Sequence, residues 1–273
     1  ISLPNRDHAE WGIKAASNGK HVLIEKPIAV NRDQVMELRR AAQANGVAIQ
    51  EASMMRFHPQ TALLRDLVAG GAIGTPRWAQ GSFSFTLRRQ EDIRLEQPGG
   101  GSIWDLGSYP ITLFQAVLQL APFEVVGLMH SAETDVDMTF GAQIRYEGDV
   151  LGLFLTSMEA IPSWYVEFVG STGRLRATYP WLSHIGVEST VEAVQINDAP
   201  PTGAFGDGVD NQSTRTFTFP DVNAYLDEVL AMESMILDKG DEVFPLEESA
   251  TNIATITALV DSATSLTHVA VDD

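Results

Sequence analysis

The chain has 273 residues, 44% of them hydrophobic and 20% charged, enough to bury a real core in about one and a half domains. Acidic residues outnumber basic ones 36 to 18, for a formal charge of −18 and a pI of about 4.6, which argues against nucleic-acid or anionic-membrane partners, whose phosphates need basic patches. The absence of cysteine excludes disulfides, a reactive thiol and thiolate metal sites, six scattered histidines show no metal-ligand spacing, and no stretch approaches the roughly 18 uninterrupted apolar residues of a membrane span.

Residues 1–52 alternate strand and helix: strand 1–3, helix 7–18, strand 21–24, helix 32–45 stopped by Asn45-Gly46, and strand 47–51. That order is doubly wound and mostly parallel. Pro4-Asn5 stands where the chain leaves the first strand for a helix, so Asn5 is a candidate N-cap. His8, on the first helical turn, reads as a solvated or capping group. The stretch Leu23-Ile24-Glu25-Lys26-Pro27 is the most informative here. An apolar strand ends in a carboxylate and an ammonium, and a proline stops it, which delivers both charges to the carboxyl edge of the sheet where open α/β sheets bind ligands. A solvated charge pair at a strand end is the other reading.

After residue 53 the pattern becomes α+β. Helix 58–69 ends at Gly70-Gly71, and strand 77–87 leads to the loop Gly99-Gly100-Gly101 and a helix over 110–120. Strands 123–130, 138–146, 150–158 and 165–170 follow, with Glu147-Gly148-Asp149 as a hairpin turn, and such consecutive antiparallel strands build an open sheet. The Gly/Pro/Asp-rich run 198–212 is expected to be mobile. Helices 222–238 and 247–264 close the chain. Asp105 and Tyr109 stand four apart, on one face of a helical segment that Pro110 makes start or kink there. A phenol near an ammonium is a workable proton-transfer pair, because the cation lowers the phenol's pKa; an N-cap aspartate beside a core tyrosine is the alternative. Trp104 could stack on a ligand ring or pack in the core. Trp164-Tyr165 could be plain sheet packing. Val150-Leu151-Gly152-Leu153-Phe154-Leu155 is apolar on both sides of one strand, as expected when both sheet faces are covered.

These motifs, in this order, resemble the glucose-fructose oxidoreductase / inositol dehydrogenase / rhizopine-catabolism (Gfo/Idh/MocA) family nearly end to end. Pro4-Asn5-Arg6-Asp7-His8 resembles its Pro-Asn-x-x-His, Glu25-Lys26-Pro27 its Glu-Lys-Pro, and Arg56-Phe57-His58-Pro59 its Arg-Phe-x-Pro. Gly99 to Tyr109 resembles its glycine loop with Asp-x-Gly-x-His/Tyr, and Phe168 to Leu175 its Gly-Thr-x-Gly hairpin. The family's opening Gly-x-Gly-x-x-Gly is not in this sequence, so on the order of 60–75 residues, about two βαβ units, are expected upstream of Ile1. Residues 1–273 alone should then bind the dinucleotide weakly and be inactive.

The resemblance implies the C-terminal part of a Rossmann-like dinucleotide-binding domain over 1–53, and over 54–273 an α+β substrate-binding and dimerisation domain with a large, mainly antiparallel open sheet. It implies an NAD- or NADP-dependent dehydrogenase acting on a sugar or cyclic polyol, leaning to an aldose or dihydrodiol because Tyr109 stands at the His/Tyr position. Lys26, Tyr109 and Asp105 would be catalytic, with Tyr109 exchanging the hydroxyl proton, Lys26 lowering its pKa, and Asp105 gripping a second hydroxyl. Pro4, Asn5 (on the nicotinamide ribose), Glu25, Lys26, Pro27 and Arg56 would contact cofactor, and Arg94, Asp105 and Trp104 substrate. The family also contains a dinucleotide-binding regulator and NAD-dependent glycosidases, the rival readings. A cytoplasmic homodimer or homotetramer is expected, with no metal, nucleic-acid or membrane partner.

Overall fold

Two short parallel strands, β1 (Val22–Glu25) and β2 (Ile49–Ala52), carry the first unit of the chain, with α1 (His8–Ser17) and α2 (Arg32–Asn45) packed on them and on each other. The computed structural model describes residues 1–88, 92–131, 136–181, 188–196, 212–220, 222–238, 240 and 242–271. α2 begins where Asn31 accepts the Gln34 N–H (2.9 Å) and ends at Gly46 in the left-handed region, φ 62°, where glycine carries no Cβ penalty. Residues 1–3, expected as a strand, are not one. Ile1 makes two rungs to the β1 backbone, its amine donating to Leu23 and its carbonyl accepting from Glu25, and the ladder stops there.

Among the described residues, the rest of the chain builds a nine-stranded sheet. Its strands are β3 (Pro76–Thr86), β4 (Pro122–Ser131), β5 (Asp137–Tyr146), β6 (Val150–Ser157), β7 (Glu159–Gly170), β8 (Gly173–Thr178), β9 (Ser189–Ile196), β10 (Gln212–Phe219) and β11 (Val269–Ala270), in the spatial order β10-β9-β8-β7-β3-β6-β5-β4-β11. Every pairing is antiparallel except β3 with β6. The Glu147–Asp149 turn joins β5 to β6, with Gly148 at φ 73° and Asp149 at φ 58°.

Strands β8 to β11 extend the sheet beyond the five expected. In β9 the alternation of buried Val191 and Ala193 with less buried Thr190 and Glu192 carries a period-2 signal, and Phe217 and Phe219 repeat it in β10. The expected mobile run 198–212 lies outside the described residues except Gln212, which opens β10.

Helices α3 (Pro59–Ala69), α4 (Ser108–Leu118) and α6 (Leu246–Ser265) cover one face of the sheet, and α5 (Ala224–Leu237) packs near β2. The core between helices and sheet holds Phe114, Phe140, Phe168, Trp181 and Tyr146, all essentially without solvent exposure. Trp164 packs partly buried against that core, its indole N–H donating to Ser84 O at 2.8 Å, in accord with sheet packing. On the opposite face Leu128, Leu151 and Leu155 are 64%, 45% and 59% exposed. Leu128, Gly141 and Leu155 lie in one row across β4, β5 and β6, and among the described residues no helix covers this face of the sheet. Among the described residues no helix is long and apolar enough to cross a membrane.

Candidate active site

Three pieces of chain converge at the carboxyl end of β1: the turn after Leu3, the Glu25-Lys26-Pro27 segment, and the glycine loop with the helix behind it. They enclose a cleft of about 320 Å³ whose wall includes Leu3, Pro4, Asn5, Lys26, Arg94 and Asp105, with Glu25 also lining it. The helix arrives as a π turn, Ile103–Gly107, running directly into α4. Pro110 has no N–H for the carbonyl four residues back, which takes a rung out of the α ladder just where the wider turn sits.

The π turn brings Asp105 and Tyr109 to Lys26. Lys26 Nζ donates to Asp105 Oδ1 and to the Asp105 carbonyl, each at 2.8 Å, and lies 4.9 Å from the centroid of the Tyr109 ring. The cation is thus over the aromatic face. Arg94 takes the other carboxylate oxygen, its Nε donating to Asp105 Oδ2 at 2.9 Å, while its NH1 is held by Asp92. Asp105 therefore joins two cations and is not an N-cap. Burial pushes the Asp105 carboxyl up, but Lys26 and then Arg94 outweigh it and hold it below its ordinary value. Burial likewise pushes the Lys26 ammonium down, and Asp105 reverses that, so Lys26 stays charged.

Tyr109 departs from expectation. Burial, reinforced by Asp105, pushes its phenol up to about 12, and Lys26 lowers it only in part. Its ring is wedged against Phe83 (5.0 Å between centroids) and Trp181 (6.0 Å). The phenol is protonated at neutral pH because an ammonium over the ring face stabilises a phenolate less than burial destabilises it.

The other expected residues divide. Asn5 does not cap the first turn; its Nδ2 donates to Gly99 O at 2.7 Å and ties the glycine loop to the turn after Leu3. Gly99, at φ 88°, allows that approach, since a Cβ there would stand 2.7 Å from Val30 and 3.1 Å from Asn5. Pro4 and Glu25 line the cleft, whereas Pro27 lies behind it, buried, its carbonyl bonded to His8. Arg56 lies outside the cleft. Its NH2 donates to Glu248 (2.7 Å) and Val243 O (2.8 Å) and its guanidinium covers Phe244, so it fastens the segment after β2 to α6. Trp104 also misses the cleft: it is 8% exposed and belongs to the core, because one turn of a buried helix cannot present both Asp105 and its neighbour to the same opening.

Two residues were not read as part of this region. His8 is buried, not solvated, with Nδ1 2.8 Å from Pro27 O and Nε2 2.8 Å from Leu3 O, so it pins the segment ending at Leu3 to the lysine turn. Glu51 on β2 is 4% exposed and accepts the Ile28 N–H (3.2 Å) from beneath Lys26-Pro27. The Pro-Asn-x-x-His pattern pointed at His8. Glu51, a carboxylate in an apolar strand, was its own signal.

Burial pushes Glu51 up to about 7, and burial with Glu25 and Glu51 nearby pushes Glu228 of α5 up to about 8. Both have an oxygen without a hydrogen-bond partner among the described residues. The folded protein holds these protons where the unfolded chain releases them. Their contribution to stability is fully present below the ordinary carboxylate range and is lost as pH rises through about 7 and about 8. Calorimetry is expected to give a melting temperature several degrees higher at pH 5.5 than at pH 8.5, with Glu228→Gln flattening the dependence. A melting temperature that rises across that interval would contradict it.

Comparison with known proteins adds the lineage. Residues 1–53 match the profile described as "Oxidoreductase family, NAD-binding Rossmann fold", and residues 61–176 match the "GFO/IDH/MocA C-terminal domain". A Rossmann-type unit followed by a large, mostly antiparallel sheet is the architecture of that group. The chain belongs to the Gfo/Idh/MocA family of oxidoreductases. It is 35% identical to a dTDP-3,4-didehydro-2,6-dideoxy-alpha-D-glucose 3-reductase of Actinomadura kijaniata over 68% of this chain and 55% of that protein. It is 27% identical to a D-xylose 1-dehydrogenase (NADP(+)) of Haloferax volcanii over 96% of this chain and 77% of that one. A crystal structure of a 3-ketoreductase from A. kijaniata with NADP and TDP-benzene superposes with a TM-score of 0.81 at 26% identity, covering 96% of this chain and 77% of that one. The chain spans about half the length of the first curated relatives it matches.

Proposed function

We propose that the protein transfers a hydride between NAD or NADP and a hydroxyl- or carbonyl-bearing carbon of a sugar or cyclic polyol. One observation carries the reading. Lys26 and Asp105 meet in a cleft at the carboxyl edge of parallel strands, the place where such sheets bind their ligands, and the Tyr109 ring packs directly under the Lys26 ammonium. The residues present fit the nicotinamide end of a dinucleotide: Leu3 and Pro4 give an apolar wall, and Asn5, Glu25 and Lys26 give polar groups. When bound, the dinucleotide supplies or takes the hydride.

In the reductive direction Tyr109, protonated as it stands, gives its phenolic proton to the carbonyl oxygen as that oxygen gains charge, and Lys26 stabilises the charge. In the oxidative direction the same oxygen returns the proton, which requires Tyr109 first to lose its own. Asp105 still has a free lone pair on each oxygen and can accept from a second substrate hydroxyl while Lys26 and Arg94 hold it in place. The D-xylose dehydrogenase and keto-sugar reductase relatives support a sugar substrate, and the intact lysine and acid support catalysis over a purely regulatory role. Incubation of the full-length protein with NAD⁺ or NADP⁺ and a panel of aldoses, cyclic polyols and cyclic diols tests the proposal. Reduced nicotinamide should form with at least one of them, and none forming in either direction would overturn it.

The assembly we propose is a homodimer or homotetramer built on the open face of the sheet. A groove of about 290 Å³ there is lined by Val126, Leu128, Leu155, Phe154 and Tyr165, an apolar surface unusual for a monomer. Light scattering at micromolar concentration should show a dimer or larger, and Leu155→Glu should shift it toward monomer. Monomer alone in the unsubstituted protein would count against this arrangement.

A further inference from the structure

We infer that Asp137 is a positioning residue for Asp105 and Tyr109: from β5 it closes the amino-terminal end of the helix that carries them. The inference deepens the reading proposed above and rests on it. Asp137 is 5% exposed. Its Oδ2 accepts from Ser102 Oγ at 2.6 Å and from the Ile103 N–H at 2.8 Å, the first backbone group of the π turn. Ser102 Oγ lies 3.0 Å from Thr156 Oγ1 of β6, so the helix start is tied to two neighbouring strands of the sheet. The third glycine of the loop is fitted to this arrangement. Gly101 sits at φ 105°, and a Cβ there would come within 2.1 Å of Asp137 Oδ1.

A cap usually comes from the residue just before the helix. Here it comes from 34 residues downstream of Ile103, on a strand of the rigid sheet. Such a bond does more than satisfy an orphan N–H, because it fixes where along its axis the helix begins relative to the sheet. The site is sensitive to that quantity. Lys26 reaches both the carboxylate and the backbone carbonyl of Asp105 at 2.8 Å, so a slide of the π turn would break two contacts at once and carry the Tyr109 hydroxyl with it. A displacement near 1 Å at reacting groups can cost on the order of 10²-fold in rate.

The test is made on the full-length protein with Asp137→Ala, Asp137→Asn and Ser102→Ala, measuring kcat, dinucleotide affinity and amide hydrogen exchange over 103–109. Asp137→Ala is expected to lower kcat about 10- to 100-fold, to leave dinucleotide affinity within about twofold, and to speed exchange over 103–106. Asp137→Asn, which keeps one acceptor for the Ile103 N–H, should fall between Ala and the unsubstituted protein. Should Asp137→Ala fail to fold, Ser102→Ala, which removes one of the two donors, should show the same split at smaller size. Unchanged kcat and exchange in a folded variant, or affinity falling in step with kcat, would overturn the inference. If the unsubstituted protein transfers no hydride, the functional reading fails, and the exchange measurement still decides the cap on its own.

Discussion

Tyr109→Phe is expected to lower turnover by about 10²–10⁴, the usual span for a lost proton-transfer group, while leaving the fold and dinucleotide affinity nearly unchanged. The variant is clean for a structural reason. The ring keeps its edge contacts with Phe83 and Trp181 and its place under the Lys26 ammonium, and only the hydroxyl is lost. Lys26→Ala should cost a similar factor, but less cleanly, because it also frees Asp105 Oδ1 and the Asp105 carbonyl. Steady-state kinetics with dinucleotide titration separates the two effects. Unsubstituted turnover in Tyr109→Phe would show that another group exchanges the proton.

The second large effect is expected at Asp105. In Asp105→Ala, Lys26, whose side chain is 14% exposed, loses its counter-charge inside the protein, and Arg94, with its side chain 43% exposed, keeps Asp92 and water. Leaving a buried charge uncompensated costs on the order of 3 kcal/mol, and the Arg94 side adds little because solvent screens it. Denaturant unfolding should report a loss of about that size, with a fall of up to about 10 °C in melting temperature. Lys26 then feels burial opposed only by Tyr109 and Glu25, so its pKa should drop and turnover should become sensitive to alkaline pH. A stability loss below about 1 kcal/mol, the value of an exposed pair, would mean that Lys26 finds another partner or water.

Much of this geometry was legible from local pattern. The apolar run before Glu25-Lys26 placed both charges at a strand end, and Asn45-Gly46 marked the end of α2. The four-residue spacing of Asp105 and Tyr109 put both on one face of the helix, against Lys26. What stayed hidden depends on long-range placement. Sequence can bring a lysine near a tyrosine, but whether the ammonium meets the hydroxyl or the ring face is decided by packing, and here it meets the face. Arg56 had a partner 192 residues away in Glu248 that no local window contains. Trp104 was ambiguous between site and core for the same reason, His8 read as a solvated or capping group, and burial places both in the interior. The strands β9 and β10 are a different case: their alternation was present in the residues, flanked by a Gly/Pro/Asp-rich run that drew the reading toward loop.

The most direct test of the central claim is a single-turnover isotope experiment. A sugar or polyol deuterated at the reacting carbon is mixed with the enzyme and oxidised dinucleotide, and the label is located by NMR. The account predicts deuterium at nicotinamide C4 in one stereochemical position, with transfer slowed about 10²–10⁴-fold in Tyr109→Phe. Deuterium released to solvent or retained on the sugar, or transfer at an unchanged rate in Tyr109→Phe, would contradict it.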